Sequence, residues 1–279
     1  MRVLITGAAG RIGRKLRHEF KGRFDRLVLF DRLPVTDLNE GDIAFCGELT
    51  DKPLLRQALE GVDAVVHLAS IPHEAPIEDI IQNNVMGTWT VYELAHQAGV
   101  KRMIHGSSNH AVGFYPRSET IDETAQVRPD TRYGLSKCWG EAVGQYYADK
   151  HGLKSLHIRI GNAADRPEHQ RSLALWISGR DLAQLVMIGI GHPAIDNTIV
   201  YGISRNATAF YDNRQADQLG YRPQDSADDY SADILGNPMP PKEPSGDNPV
   251  AQFYQGGHFC TLDFTNPETL FRIVENQTH

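Results

Sequence analysis

The chain has 279 residues, 41% hydrophobic and 23% charged, the composition of an ordinary globular protein long enough to bury a substantial core. A formal net charge of -7, with no long Lys/Arg run, excludes nucleic acid and an anionic membrane surface as leading partners. The cysteines, Cys46, Cys138 and Cys260, form no CxxC pair and no metal-ligand spacing, so they read as reduced residues and no metal is expected. MRVLITGAAG leads straight into a strand and a glycine turn without the features of a leader, and no apolar run reaches ~18 residues. A cytoplasmic protein is expected.

In chain order, short β-branched or apolar runs predict strands at Arg2 to Thr6, Arg26 to Phe30, Ala64 to Ala69, Arg102 to Ser107 and Leu156 to Ile160. Helical patterns lie between them: after Gly10, over Lys52 to Glu60, from about Glu78 to Ala98, and from Tyr133 to Lys150. Strand alternating with helix predicts an α/β fold with a parallel sheet covered on both faces. After Ile160 come a polar loop, a helix around Arg180 to Ile190, a strand at Thr198 to Tyr201, and the proline-rich NPMPPKEPSGDNP, read as a surface linker. This predicts a smaller C-terminal portion over the sheet edge, with Trp176 and Phe210 packed inside it.

TGAAGRIG, Thr6 to Gly13, follows a strand and opens a helix. Gly7 permits a tight turn, Gly10 lets a pyrophosphate approach, and Gly13 lets the helix pack on the sheet, while the first helical turn, with Arg11 and Ile12, offers unpaired N–H groups to phosphate. Asp31 ends the second strand about 20 residues on, where a carboxylate accepts from both ribose hydroxyls of NAD and repels a 2′-phosphate. Arg32 beside it is the counterweight, because a guanidinium could hold that phosphate. Glu48 and Leu49 fall where a loop could reach the adenine; a solvent-facing Glu ahead of a helix is the plainer alternative.

YGLSK places Tyr133 and Lys137 one helical turn apart. A phenol is a poor base at neutral pH unless positive charge stabilises the phenolate, and a lysine at i+4 supplies that charge. SSNH, Ser107 to His110, follows the fourth predicted strand at the edge where such sheets bind ligands, so Ser108 could hold a substrate oxygen in line with Tyr133. His67, His105 and His157 fall within strands and read as satisfied core residues.

TGAAGRIG, Asp31, HLAS, SSNH and YGLSK together resemble an extended short-chain dehydrogenase/reductase across nearly the whole chain. The resemblance implies a Rossmann-type doubly wound parallel sheet, with residues 1–160 as an NAD-binding core and 161–279 as a smaller substrate-binding portion integrated with it. It adds Leu68, Ala69, Ser70, Asn84, Ser107 and Ile160 to the cofactor contacts and gives Lys137 the nicotinamide ribose. SSNHAVGFYP, RPDTRYGLSKCWGE, RIGN, Arg171 and YQGGHF are similar to the uronate dehydrogenases, which oxidise the anomeric carbon of glucuronate or galacturonate with NAD to an aldarolactone. By that resemblance Ser108 and Tyr133 bracket the anomeric hydroxyl, Asn109 and His110 touch sugar hydroxyls, and Arg171 grips the anion at C6. His258 is a weaker candidate for substrate contact.

Pro72 and Asn162 stand where those dehydrogenases carry small serines, and His73 could add a donor there. RIGN and VYGIS resemble instead the NAD-dependent glucose-6-phosphate dehydrogenases of halophilic archaea, and sulfoquinovose would meet the same chemistry, so the C6 group is left open among carboxylate, phosphate and sulfonate. A nucleotide-sugar epimerase or dehydratase uses the same triad but has little room here for a nucleoside diphosphate. A non-catalytic NAD sensor would have no need of Tyr133 and Lys137. Self-association is not legible in the sequence.

Overall fold

A computed structural model describes residues 1–237 and 243–277. Its sheet has parallel strands β1 (Arg2–Thr6), β2 (Arg26–Asp31), β3 (Ile43–Cys46), β4 (Ala64–His67), β5 (Arg102–Ser108), β6 (Lys154–Ile160) and β7 (Asn197–Gly202), in the order β3-β2-β1-β4-β5-β6-β7. The chain starts mid-sheet, runs outward to β3, and returns to the other side of β1. That reversal leaves a crevice at the carboxyl ends of β1 and β4, the place where open parallel sheets take ligands.

β1, β2 and β4 at the centre of the sheet are largely apolar because both faces are covered. Side chains along the strands alternate between two cores. Leu4, Val28, Phe30, Val65 and Met103 meet Leu55, Val91, Tyr92, Val143 and Tyr147 of helices α2 (Lys52–Ala58), α4 (Met86–Gln97) and α5 (Arg132–His151). Val3, Ile5, Leu29, Val66 and Ile158 meet Leu16 of α1 (Arg11–Glu19) and Leu182, Leu185 and Val186 of α7 (Gly179–Gly191). Short α3 (Ile77–Ile80) and α6 (Gln170–Leu175) complete the set used below.

The doubly wound α/β fold expected from the sequence is the one observed. β3 was not expected: IAFC is an apolar run of only 4 residues at the sheet edge, its side chains alternating between partly buried and exposed. The helix expected over Glu78 to Ala98 is interrupted by a π-helical turn, Ile81–Val85, between α3 and α4. Residues after 160 supply β7 to the sheet and α7 to one of its helical layers. Within them Trp176 packs with Leu173, Ala227 and Ile234, and Phe210 lies against the cluster of Tyr201 and Tyr211. Residues 238–242 of the proline-rich stretch lie outside the described residues.

His67, His105 and His157 occupy facing positions on β4, β5 and β6 and are all buried. His67 bonds Thr6 and Thr88, while His105 and His157 bond each other and His157 bonds Asn197. α5 lies close against this row because it carries Gly140 and Gly144, where a Cβ would collide with the His105 and His157 rings. This seating fixes the depth of α5 and hence of Tyr133 and Lys137. Among the described residues no helix is long and apolar enough to cross a membrane.

Candidate active site

A cavity of about 600 Å³ runs along the carboxyl ends of the strands, from the glycine turn after β1 to Arg171 at the start of α6. At the turn, Gly7 has φ +75°, a left-handed conformation, and a Cβ there would stand 2.7 Å from the Ala69 nitrogen. A Cβ at Gly13 would collide with the Gly7 carbonyl, so this glycine seats α1 on the turn. Gly10 differs, with an ordinary φ of -70° and only the Gly7 oxygen, 3.2 Å away, near the place of a Cβ. Its bare backbone faces the cavity at the N-terminus of α1, where helical N–H groups lack partners, and so suits a phosphate. Asp31, at the end of β2, receives the backbone N–H of Ala9 at 2.9 Å and of Leu33 at 2.9 Å, which aims its carboxylate across the turn. The turn, the open helix end and the oriented carboxylate fit a dinucleotide.

Midway along, α5 begins at Thr131, whose hydroxyl caps the Gly134 N–H at 3.0 Å. Lys137 donates to the Gly106 carbonyl at 2.8 Å and the Ser70 hydroxyl at 3.1 Å. An ammonium has three donors, so one is left for the cavity. The Lys137 nitrogen lies 5.5 Å from the centre of the Tyr133 ring. Burial draws Lys137 down to about 8 and pushes Tyr133 up to about 12; a hydrogen bond with Ser108 works against the rise in Tyr133, and the charge of Asp130 adds to it. Burial wins at Tyr133, and its phenol keeps its proton until further positive charge arrives.

The far end is made of side chains. Arg171 donates through Nε to the Gln255 carbonyl at 2.7 Å, leaving Nη2 buried without a partner, and the Asn109 Nδ2 is likewise unpartnered. Gly257, at φ +63°, brings the tail under the guanidinium, where a Cβ would stand 2.7 Å from Arg171 Nε. Burial and then the Arg117 guanidinium pull Arg171 below its ordinary pKa, though the residue opens on the cavity. An anion arriving there would satisfy the orphaned donor and offset both penalties.

The model of the NAD dependent epimerase/dehydratase family matches residues 3–187. The chain is 42% identical to uronate dehydrogenase of Pseudomonas putida over 261 residues, covering 93% of this chain and 95% of that one. The chain belongs to the NAD dependent epimerase/dehydratase family. It is also 35% identical to the NAD-dependent glucose-6-phosphate dehydrogenase of Haloferax volcanii, covering 85% of this chain and 97% of that one. Among solved structures, a mutant uronate dehydrogenase of Agrobacterium tumefaciens complexed with NAD matches with TM-score 0.87 and 33% identity, covering 93% of this chain and 96% of that one.

In this epimerase/dehydratase family member, nearly all the residues singled out from sequence line the one cavity: the glycine turn with Arg11 and Ile12, Asp31 with Arg32, Glu48 with Leu49, Leu68 to Ser70, Ser107 to His110, Tyr133, Lys137, Ile160, and Pro72, Asn162 and Arg171. His73 and Asn84 do not line it. His73 is exposed beyond Pro72. Asn84 is buried, and its amide is used up on the Ile71 backbone and the Ser136 hydroxyl, so it fastens the loop after β4 to α5. His258 bonds Ser245 at 2.6 Å and also does not line the cavity. Sequence reasoning missed the Gly106 carbonyl, which holds Lys137, and Gln255, whose carbonyl holds Arg171. Both act through backbone oxygens, which no residue type announces.

Proposed function

We propose that the protein is an NAD-dependent sugar 1-dehydrogenase that oxidises the anomeric carbon of a hexuronate, glucuronate or galacturonate, to its aldarolactone. The observation that carries this is the continuity of one cavity from the open backbone at Gly10, past Lys137, Tyr133 and Ser108, to the unpartnered Arg171 Nη2. Relatives named uronate dehydrogenase, matched over nearly the full length of both chains, support it.

Residues 1–160 hold the cofactor in this proposal: Gly7 to Gly13 at the pyrophosphate, Asp31 at the adenine-side ribose, Glu48 and Leu49 at the adenine, Lys137 at the nicotinamide ribose. Leu68, Ala69, Ser70, Ser107 and Ile160 wall the space between. Residues 161–279 supply Arg171 and Asn162 to the sugar side, beside Pro72, Asn109 and His110. When bound, NAD supplies the acceptor for the hydride that leaves C1 and a positive charge on its nicotinamide ring. Ser108 donates to or accepts from the C1 oxygen and keeps it against Tyr133. The C1 hydroxyl proton passes to the Tyr133 oxygen as the C1–O bond becomes a carbonyl, and the unbroken ring leaves as the lactone. Lys137, charged below about 8 in the cofactor-free protein, stabilises the phenolate that must form first. Arg171 holds the C6 carboxylate at the opposite end.

Pro72 and Asn162 favour a second reading, glucose 6-phosphate, because a guanidinium receives phosphate as readily as carboxylate. Formation of NADH is measured with glucuronate, galacturonate, glucose 6-phosphate, sulfoquinovose and glucose, each with NAD and then NADP. The hexuronates should give kcat/KM at least about tenfold above the rest. Phosphate in first place would move the assignment to the second reading, and no turnover on any sugar would sink both.

A further inference from the structure

We propose that Asp130 is a positioning residue: it fixes the tautomer of His110 with the proton on Nδ1, which leaves Nε2 facing the cavity as a hydrogen-bond acceptor for a sugar hydroxyl. The role toward sugar rests on the function proposed above; the tautomer does not.

His110 Nδ1 lies 2.6 Å from the Asp130 Oδ2, and the Asp130 side chain is 0% exposed while that of His110 is 12% exposed. The other polar groups that meet this carboxylate are donors: the Thr131 hydroxyl reaches Oδ1 at 3.0 Å and the Cys260 thiol lies 3.9 Å from Oδ2. A carboxylate offered donors on both oxygens acts as an acceptor, so the imidazole proton in the shared contact belongs on Nδ1.

The space for this carboxylate is kept chiefly by two glycines remote from it in sequence. A Cβ at Gly113 or Gly256 would collide with Oδ2, and one at Gly134 would come within 3.2 Å of Oδ1. The imidazole is held as firmly: Phe259 stacks on it with ring centres 3.9 Å apart and planes 22° apart, and Tyr133 meets it edge to face at 5.9 Å. Burying a carboxylate is costly unless donors compensate it, so an arrangement that keeps two remote glycines clear for one has a specific partner to serve.

The partner's other nitrogen, Nε2, has no hydrogen bond among the described residues, and the ring lines the cavity. Among the residues that line the far end of the cavity the orphaned groups are donors, Arg171 Nη2 and Asn109 Nδ2; the unpartnered oxygens of Tyr211 and Gln255 belong to residues that do not line it. Donors alone would grip an anion but could not receive a hydroxyl proton. Nε2 without its proton gives the site an acceptor, and a sugar that carries both an anion and hydroxyls needs both kinds.

Long-range ¹H–¹⁵N correlation spectra of the cofactor-free protein test the tautomer directly, with His110 assigned by its loss in His110→Gln. In the neutral ring Nδ1 should carry the proton and Nε2 should be bare, and the Nε2 signal should shift when glucuronate is added. A proton on Nε2 in the unmutated protein would overturn the assignment, and a signal indifferent to the sugar would overturn the acceptor role. Asp130→Leu, which offers Nδ1 no acceptor, should release the tautomer and lower kcat/KM for the oxidised sugar about 100-fold, with the KM for NAD within about twofold. Wild-type sugar kinetics in that variant would also refute the role. Should no sugar be turned over while Nδ1 carries the proton, the function proposed above falls and the tautomer stands.

Discussion

At the glycine end of the cavity the wall is backbone, supplied by one short stretch from Thr6 to Gly13 with Asp31 across from it, whereas at the Arg171 end it is side chains gathered from residues 109, 110, 162 and 171. The first end recognises what any dinucleotide presents, a pyrophosphate and a ribose, and needs bare N–H groups and one carboxylate. In the function proposed, the second tells one sugar from another with donors left unpaired in a buried place, where a missing partner is costly. Generic binding is thus local in the chain and selective binding is assembled over distance. Tyr133 and Lys137 stand between and, in the function proposed, belong to the reaction itself.

The largest break in this comparison comes at its middle. Tyr133→Phe removes the proton acceptor and nothing from either end, so kcat should fall by about 10³-fold or more while the Kd for NAD stays within about twofold. Retention of most of the activity would remove Tyr133 from the role of base. Next in size is Arg171→Ala, which should cost about 100-fold in kcat/KM for a hexuronate and much less for a neutral aldose, because only the anion uses Nη2. An equal loss on both sugars would mean that Arg171 holds the tail through Gln255 and does not select the substrate.

The same contrast governs how much was legible in the sequence. Gly7, Gly10, Gly13 and Asp31 could be placed because their spacing within a strand, turn and helix is dictated by the turn itself. Tyr133 and Lys137 could be paired because four residues make one helical turn. Asn84 and His73 were expected in the site and do not line the cavity: Asn84 is turned toward Ile71 and Ser136, a contact that only the packing of the π-helical turn on α5 decides. Asp130 stood in plain view beside Thr131 and Tyr133, yet its value depends on Gly113 and Gly256, remote in sequence, leaving it room. β3 escaped notice because its apolar run is only 4 residues long and an edge strand needs no more.

A smaller effect separates the glycines within the first end. Gly10→Ala meets only the Gly7 oxygen at 3.2 Å, so the melting temperature should stay within about 2 °C while the Kd for NAD rises about tenfold, the new methyl standing where phosphate would lie. Gly13→Ala drives a methyl into the Gly7 carbonyl and should destabilise the fold by about 2 kcal/mol, with cofactor affinity lost in proportion. If both variants behaved alike in thermal melts, Gly10 would be a structural glycine and the open backbone would not be a cradle.

The smallest expected effect is also the most selective. Asp31 already accepts the Ala9 and Leu33 N–H groups, so its loss frees two backbone donors at the turn as well as removing a ribose acceptor. Those donors lie where water can reach them, since Asp31 is only partly buried, and the penalty on folding is therefore modest. Asp31→Ala should raise the KM for NAD about five- to tenfold and leave that for NADP unchanged or lower, because the repelled 2′-phosphate gains access to Arg32, which lines the same part of the cavity. The ratio of kcat/KM for the two cofactors, measured with one sugar at saturation, isolates the charge effect from any loss common to both. A ratio that does not move would mean that the carboxylate serves the turn alone, and the first end of the cavity would then read phosphate but not ribose.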